Sequence, residues 1–164
     1  MIEVTVAGVR MEMPSNTPIV LLQEVQGLRY LPIWIGAVEA TSIAYAQQGV
    51  EPPRPMTHDL YVATLAEIGA TVTSVRITDL NDGVFYSVID LTGADGSAHS
   101  ISARPSDALA IALRVGVPIL ATEAVFDAAG VELPEDDEGA PEDQVEAFRE
   151  FLEGVSPEDF EELS

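Results

Sequence analysis

The sequence contains no cysteine, and this absence removes several kinds of chemistry at once. Disulfide bonds, thiolate nucleophiles and cysteine-ligated zinc are all excluded. The nucleotide loop GxxxxGK, the zinc motif HExxH and the nucleophile motif GxSxG are missing too. No short motif therefore assigns a reaction, and any function has to be sought in less specific patterns.

Basic residues are scarce. The chain has 7 arginines, no lysine and 28 acidic residues, which gives a formal net charge of −21. From Glu132 onward there are 14 acids and a single arginine. A field of this sign repels phosphate backbones and offers no affinity from counterion release. Nucleic-acid binding would therefore need a local arginine patch, or metal ions held by carboxylates.

No apolar stretch approaches the roughly 18 residues that a membrane-spanning helix needs. The first ten residues, MIEVTVAGVR, lack the basic start and apolar core of a signal peptide. We therefore expect a soluble, cytoplasmic protein that does not bind membranes. A chain of 164 residues fits one domain with its own hydrophobic core.

Alternating apolar residues predict two groups of three strands, each followed by a helix. The alternation slips at Ala7-Gly8, which indicates a β-bulge in the first strand. Thr57 is placed to cap an extra helix between the groups. The predicted fold class is α+β, a mostly antiparallel sheet or pair of sheets built from two β-β-β-α units. The predicted strands cover 2–13, 18–25, 28–35, 71–80, 84–92, 97–103 and 117–121, and the predicted helices cover 36–49, 57–69, 103–116 and 122–129.

The helices that close the two units share a pattern, because EATSIA at 39–44 matches DALAIA at 107–112. Together with the repeated element order, this match suggests an internal duplication. Residues 1–131 are predicted to form one domain, and residues 132–164 an acidic tail with a linker and a short amphipathic helix. That helix would dock on the domain or on a protein partner, although its charge density also favours disorder.

Acids at the predicted helix starts are the first candidates for chemistry. Glu39 is the only charged residue between Arg29 and Glu51. It could serve as a metal ligand or general base, or it could complement the helix dipole and pair with an arginine. Asp107 presents the same alternatives, since Arg104 precedes it at a spacing that favours an ion pair.

The stretch PRPMTHDL at 53–60 adds three further candidates. Asp59 suits the positive end of a helix without any catalytic role. His58 at the same helix start is pushed toward its neutral form, which can accept a proton or bind a metal. Arg54 lies between two prolines of fixed φ, which suits aiming its guanidinium at a phosphate, although an ion pair with Glu51 explains it equally well.

Three segments together resemble the bifunctional nuclease domain family, which is named for activity on both DNA and RNA. They are LPIWIGAVEATSIAYAQQG (31–49), PRPMTHDL (53–60) and SARPSDALAIALR (102–114), and the resemblance covers about residues 1–131. It implies an α+β fold, nuclease activity and a homo-oligomer, with a dimer favoured. The family's motif positions that could act fall on Glu39, Arg54, His58, Asp59, Arg104 and Asp107.

Two functions are consistent with these residues. In the first, the chain is a metal-assisted nuclease in which Mg²⁺ or Mn²⁺ is held by Glu39 and Asp107. In the second, it is a non-enzymatic oligomeric regulatory or protein-interaction module, where Arg104 forms structural ion pairs with Asp107 or Glu39. For the nuclease, the predicted catalytic residues are Glu39, His58, Asp59 and Asp107, and the predicted phosphate-binding residues are Arg54 and Arg104.

Overall fold

The computed structural model describes residues 1–132. The acidic tail predicted for residues 132–164 lies, apart from Glu132, outside the described residues. The α+β class is confirmed, as is the order of two β-β-β-α units with an extra helix between them. The elements are β1 (Ile2–Glu12), β2 (Thr17–Glu24), β3 (Arg29–Trp34), α1 (Ala37–Gln48), α2 (Thr57–Glu67), β4 (Thr71–Asn81), β5 (Val84–Thr92), β6 (Ala98–Ala103), α3 (Pro105–Val115), β7 (Ile119–Ala121), α4 (Glu123–Ala129) and β8 (Val131–Glu132).

The two predicted groups of strands join into one eight-stranded sheet of order β6-β5-β4-β7-β1-β2-β3-β8. The short strand β7 connects them, since it pairs in parallel with β4 and antiparallel with β1. All other neighbours within residues 1–132 are antiparallel. No helix in this part of the chain is both long and apolar enough to span a membrane.

The bulge predicted in β1 is present. Val6 pairs with Leu22 and Gly8 pairs with Leu21, so Ala7 is an extra residue without a partner of its own. The extra residue shifts the alternation by one, and as a result both Val4 and Val9 are buried.

Helices α1 and α3 pack against each other and against the sheet. The residues that their sequences share, Ala40, Ile43 and Ala44 on α1 and their counterparts on α3, all lie in the hydrophobic core. Alanine side chains are short, so the two helix axes can approach closely. The shared pattern therefore has a packing role, and the internal duplication stays a prediction.

The predicted cap of α2 was wrong. The helix begins at Thr57, so the capping position belongs to Met56, whose backbone N–H donates to Oδ2 of Asp59 at 2.8 Å. A carboxylate at the third helical position can satisfy the capping residue's N–H from inside the helix, and Thr57 itself is exposed. At α3 the prediction was correct, because Pro105 occupies the first position after the capping residue Arg104.

Candidate functional site

The first turns of α1, α2 and α3 bring four of the six predicted site residues together. Glu39 on α1, His58 on α2, and Arg104 and Asp107 at the start of α3 form one connected cluster of ion pairs and hydrogen bonds. We call these four residues the arginine–carboxylate cluster. The convergence arises because α1 and α3 pack side by side while α2 lies against α3.

His58 links all three helices through its two ring nitrogens. Nε2 lies 3.0 Å from Oδ1 of Asp107, and Nδ1 lies 2.8 Å from Oγ of Ser42 on α1. A carboxylate accepts hydrogen bonds, so Nε2 carries a proton, and in the neutral ring the Ser42 hydroxyl donates to Nδ1. Both nitrogens are therefore engaged within the protein.

Ser42 is a member of this network that sequence reasoning missed. Its combination with His58 and Asp107 resembles a hydrolase triad in composition only, because Ser42 is 1% exposed and its hydroxyl cannot reach a substrate. Its role here is to orient the imidazole. The sequence signal was slight: Ser42 is a polar residue on the side of α1 that otherwise presents alanine and isoleucine to the core.

Arg104 lies at the exposed edge of the cluster, with 67% of its side chain accessible. Its Nε and Nη2 donate to the two oxygens of Asp107 at 2.7 and 3.0 Å, and Nη1 lies 2.9 Å from Oε1 of Glu39. The hydrogen bonds with Asp107 are the main reason that the pKa of Arg104 is raised. A guanidinium carries five N–H groups, so at least two remain free to face solvent.

Glu39 retains an unused oxygen. Oε1 faces Arg104, whereas Oε2 accepts no hydrogen bond from residues 1–132 and lies over the backbone of Gly36. A Cβ atom at position 36 would collide with this oxygen, so glycine there makes room for the carboxylate. The side chain of Glu39 is 18% exposed, which leaves the carboxylate in limited contact with solvent.

Asp107 is fully engaged by its neighbours. Burial acts most strongly on this carboxyl and would raise its pKa, but the hydrogen bonds and charge attractions of Arg104 and His58 together outweigh burial, and the pKa lies below its usual value. Asp107 is therefore ionised at neutral pH, and it holds Arg104 and His58 in place.

Asp59 belongs to a different ion pair. Its Oδ1 accepts from Nε of Arg114 at 2.5 Å, and this hydrogen bond is the main reason that the pKa of Asp59 is lowered. Arg114 also donates to the carbonyl oxygens of Ser42 and Ala110. The ion pair of Asp59 and Arg114 thus also connects α1, α2 and α3. The sequence did not indicate that these two residues pair.

Arg54 does not join the cluster. It is exposed, and it forms no ion pair or side-chain hydrogen bond with the residues that the structure describes, the predicted alternative partner Glu51 included. Its predicted role in phosphate binding stays a prediction.

The carboxylates of the cluster do not form a preformed metal site. Within residues 1–132, no group of three or more histidine and acidic side chains is arranged to hold a metal ion. Glu39 and Asp107 both face the guanidinium of Arg104, which takes the position that a cation shared between them would occupy. These residues, as arranged, do not fit bound Mg²⁺ or Mn²⁺.

The fold and the cluster together define an α+β domain with an exposed arginine held by two carboxylates. A family model for the bifunctional nuclease domain matches residues 20–134, and the chain belongs to this family. The Mycobacterium tuberculosis protein named "Uncharacterized protein Rv1829" is 54% identical over 165 residues, which cover 96% of this chain and 97% of that protein. "Bifunctional nuclease 1" of Oryza sativa subsp. indica is 31% identical over 91 residues, which cover 54% of this chain and 28% of the rice protein.

Proposed function

We propose that the chain is a nuclease that hydrolyses phosphodiester bonds of DNA and RNA at the arginine–carboxylate cluster. Membership of the bifunctional nuclease domain family and the names of the rice relatives support this activity. The observation that carries the proposal is Arg104, an exposed guanidinium beside a carboxylate, Glu39, that has one free oxygen. A phosphate-binding group and a proton acceptor are thereby adjacent.

Arg104 binds the scissile phosphate in this proposal. Its free N–H groups face solvent, and a guanidinium matches the geometry of phosphate oxygens through paired hydrogen bonds. Its two carboxylate partners fix its orientation before the substrate arrives, which lowers the entropic cost of forming those bonds. The positive charge also stabilises the charge that develops on the phosphate oxygens in the transition state.

Glu39 acts as the general base. Its Oε2 takes a proton from water, the water oxygen forms the new bond to phosphorus, and the ester P–O bond breaks. The departing oxygen then takes a proton from solvent. His58 and Asp107 act as positioning residues, because their polar atoms are already occupied in holding Arg104 and the three helices.

The predicted dependence on Mg²⁺ or Mn²⁺ stays a prediction. The steps proposed for Arg104 and Glu39 do not use a metal. Its test is cleavage measured with EDTA and after each ion is added back. Unchanged rates in EDTA would contradict metal assistance.

The experiment compares single-turnover cleavage of labelled single- and double-stranded DNA and RNA by the full chain and two variants. Glu39→Gln removes the proposed base, and we expect the rate to fall by about 10²–10⁴-fold. Glu24→Gln is the matched control, because Glu24 also pairs with an arginine, Arg29, at 2.6 Å. Cleavage by Glu39→Gln at the wild-type rate would overturn the proposal.

A non-enzymatic oligomeric regulatory or protein-interaction module remains the second candidate. The saturated contacts of His58 and Asp107 favour it, since both side chains already have structural roles. Absence of cleavage on every substrate, with the protein folded, would support this candidate. A homo-oligomer, with a dimer favoured, a cytoplasmic location and a protein partner for the acidic tail are further proposals, and sedimentation of the full chain tests the first.

A further inference from the structure

A groove of about 400 Å³ opens directly beside Arg104. Three segments line it: residues 33–36 at the end of β3, residues 83–85 at the turn into β5, and residues 104–106 at the start of α3. Arg104 belongs both to this groove and to the arginine–carboxylate cluster, so a ligand could contact the two together. We call it the Trp34 groove.

Two aromatic side chains face this groove. Trp34 is 52% exposed, and its Nε1 donates to Oε2 of Glu12 at 2.8 Å, which fixes the orientation of the indole. Phe85 is half-buried and packs on the core. An exposed large aromatic ring held in one orientation provides a stacking surface at little entropic cost.

Ser106 adds an unpartnered hydroxyl to the groove. The residue is 6% exposed, and its side chain makes no hydrogen bond to residues 1–132. No fully buried side-chain nitrogen or oxygen in this part of the chain lacks a partner. The Ser106 hydroxyl oxygen is therefore not fully buried, and Ser106 is one of the residues that line the groove.

We propose that the Trp34 groove binds one unpaired nucleobase of a DNA or RNA strand. The base stacks on Trp34, its polar edge forms a hydrogen bond with Oγ of Ser106, and a neighbouring phosphate contacts Arg104. This inference rests on the proposed nuclease function and names its substrate class as single-stranded nucleic acid. Bases inside a duplex are already stacked and paired, so they cannot enter the groove without being extruded.

Stacking also resolves the conflict between an acidic protein and a polyanionic substrate. The formal charge of −21 opposes attraction at long range, whereas stacking of a base on an aromatic ring does not depend on net charge. With Arg104 as the basic residue lining the groove, we expect a shallow salt dependence. The slope of log K against log salt should be about −0.7, as for one phosphate contact on a single strand.

The experiment uses the fluorescence of Trp34, the one tryptophan in the chain. The full-length Glu39→Gln variant, which should cleave about 10²–10⁴-fold more slowly than the wild type, is titrated with oligothymidylate, with an abasic strand of equal length and charge, and with a blunt duplex. We expect quenching by oligothymidylate, no quenching by the abasic strand, and about tenfold weaker binding of the duplex. Equal responses to the first two strands would overturn the inference.

Variants then locate the binding site, with affinity measured by anisotropy of a labelled strand. Trp34→Leu and Ser106→Ala should each weaken binding of oligothymidylate by about tenfold. Tyr86→Leu is the matched control, because Tyr86 is also an exposed aromatic, at 47%, but does not line the groove. Retained affinity in Trp34→Leu, with an unchanged melting temperature, would contradict the assignment.

The outcomes separate this inference from the proposed function. If the wild-type protein binds the single strand selectively but does not cleave it, the proposed nuclease function is contradicted, whereas the assignment of the Trp34 groove as a base-binding site stands. Equal cleavage of single and double strands, with unchanged Trp34 fluorescence, supports the nuclease function and overturns the proposal that the Trp34 groove binds a base. A fluorescence change on raising the protein concentration without nucleic acid, accompanied by dimer formation, would assign the groove to a second copy of the chain and overturn the inference.

Discussion

Nε2 of His58 on α2 and Oδ1 of Asp107 on α3 are joined by a hydrogen bond of 3.0 Å. The other ring nitrogen of His58 contacts Ser42 on α1, so one imidazole connects three helices. Asp107 in turn holds Arg104 through both of its oxygens. Helix packing and the orientation of the proposed phosphate-binding residue therefore depend on the same side chains.

His58 should contribute measurably to stability, as a histidine with two hydrogen bonds and a side chain only 12% exposed. Replacing it by alanine leaves the Ser42 hydroxyl and part of the Asp107 carboxylate without partners. We expect His58→Ala to lower the free energy of unfolding by about 1–3 kcal/mol, measured by urea denaturation.

The other histidine of the chain provides the control. His99 is exposed on β6, with Oγ of Ser97 as its contact in the described part of the chain. His99→Ala should change the free energy of unfolding by less than about 0.5 kcal/mol. Equal effects of the two substitutions would contradict the structural role given to His58.

Much of the fold could be predicted from the sequence because its signals are local. The bulge at Ala7-Gly8, the hairpin turns and the glycine that ends α1 each depend on residues next to one another. The insertion of β7 between β4 and β1 could not be predicted, since it depends on pairing between residues far apart in the chain. For the same reason the sequence left open whether the strands form one sheet or two.

The residues of the candidate site could be predicted from the sequence, but the contacts between them could not. Acids and bases at helix starts pointed to Glu39, His58 and Asp107, and the structure brings these together with Arg104. Which acid meets which base depends on helix packing, so the sequence could not indicate that Arg114 pairs with Asp59. Ser42 was missed because a single serine in an alanine-rich helix belongs to no recognisable sequence motif.

Arginine at position 104 should not be replaceable by lysine. Its guanidinium contacts both oxygens of Asp107 and one oxygen of Glu39, and the single ammonium of lysine cannot reproduce that geometry. Loss of hydrogen bonds to a charged group costs about 1.5–3 kcal/mol. We therefore expect Arg104→Lys to lower kcat/KM on a short oligonucleotide by about 10–100-fold.

The comparison for Arg104 is Arg54→Lys, at the other predicted phosphate-binding residue. Arg54 is exposed and forms no ion pair or side-chain hydrogen bond within residues 1–132 that a lysine would disturb. Arg54→Lys should keep kcat/KM within about twofold, since a point charge suffices there. If Arg104→Lys retains full activity, the bidentate arrangement has no part in catalysis.

Stability should fall in acid partly through the ion pair of Asp90 on β5. Hydrogen bonds from Arg76 first, and then from Ser100 and Ser74, hold the pKa of Asp90 well below its usual range despite burial. A lowered pKa in the folded state means that the carboxylate stabilises the fold fully above the unfolded pKa of about 3.9. That contribution is lost as the pH falls below this value toward the folded pKa.

Urea denaturation between about pH 7 and pH 3 measures this effect. The free energy of unfolding should be lower for Asp90→Asn than for the wild type at neutral pH, and the difference should shrink below about pH 4. Glu67→Gln is the control, because Glu67 is exposed and forms no ion pair in the described part of the chain. A difference that is constant across the pH range would contradict the role given to Asp90.

The ion pair of Asp59 and Arg114 should show strong coupling, because the side chain of Arg114 is only 10% exposed. A double-mutant cycle with Asp59→Asn and Arg114→Met should give a coupling energy of about 1–3 kcal/mol in urea denaturation. The comparison is a double-mutant cycle for Arg29 and Glu123. Nη1 of Arg29 lies 2.9 Å from Oε1 of Glu123, but the Glu123 side chain is 60% exposed. That surface pair should give less than about 1 kcal/mol.

The same Asp59→Asn variant decides whether Asp59 is catalytic, as the sequence predicted. Its carboxylate accepts hydrogen bonds from Arg114 and from the backbone of Met56, so we expect the loss to appear in stability. Cleavage assayed well below the melting temperature should then retain the wild-type kcat. A fall in kcat as large as that of Glu39→Gln, in protein that is still folded, would instead place Asp59 among the groups that act on the substrate.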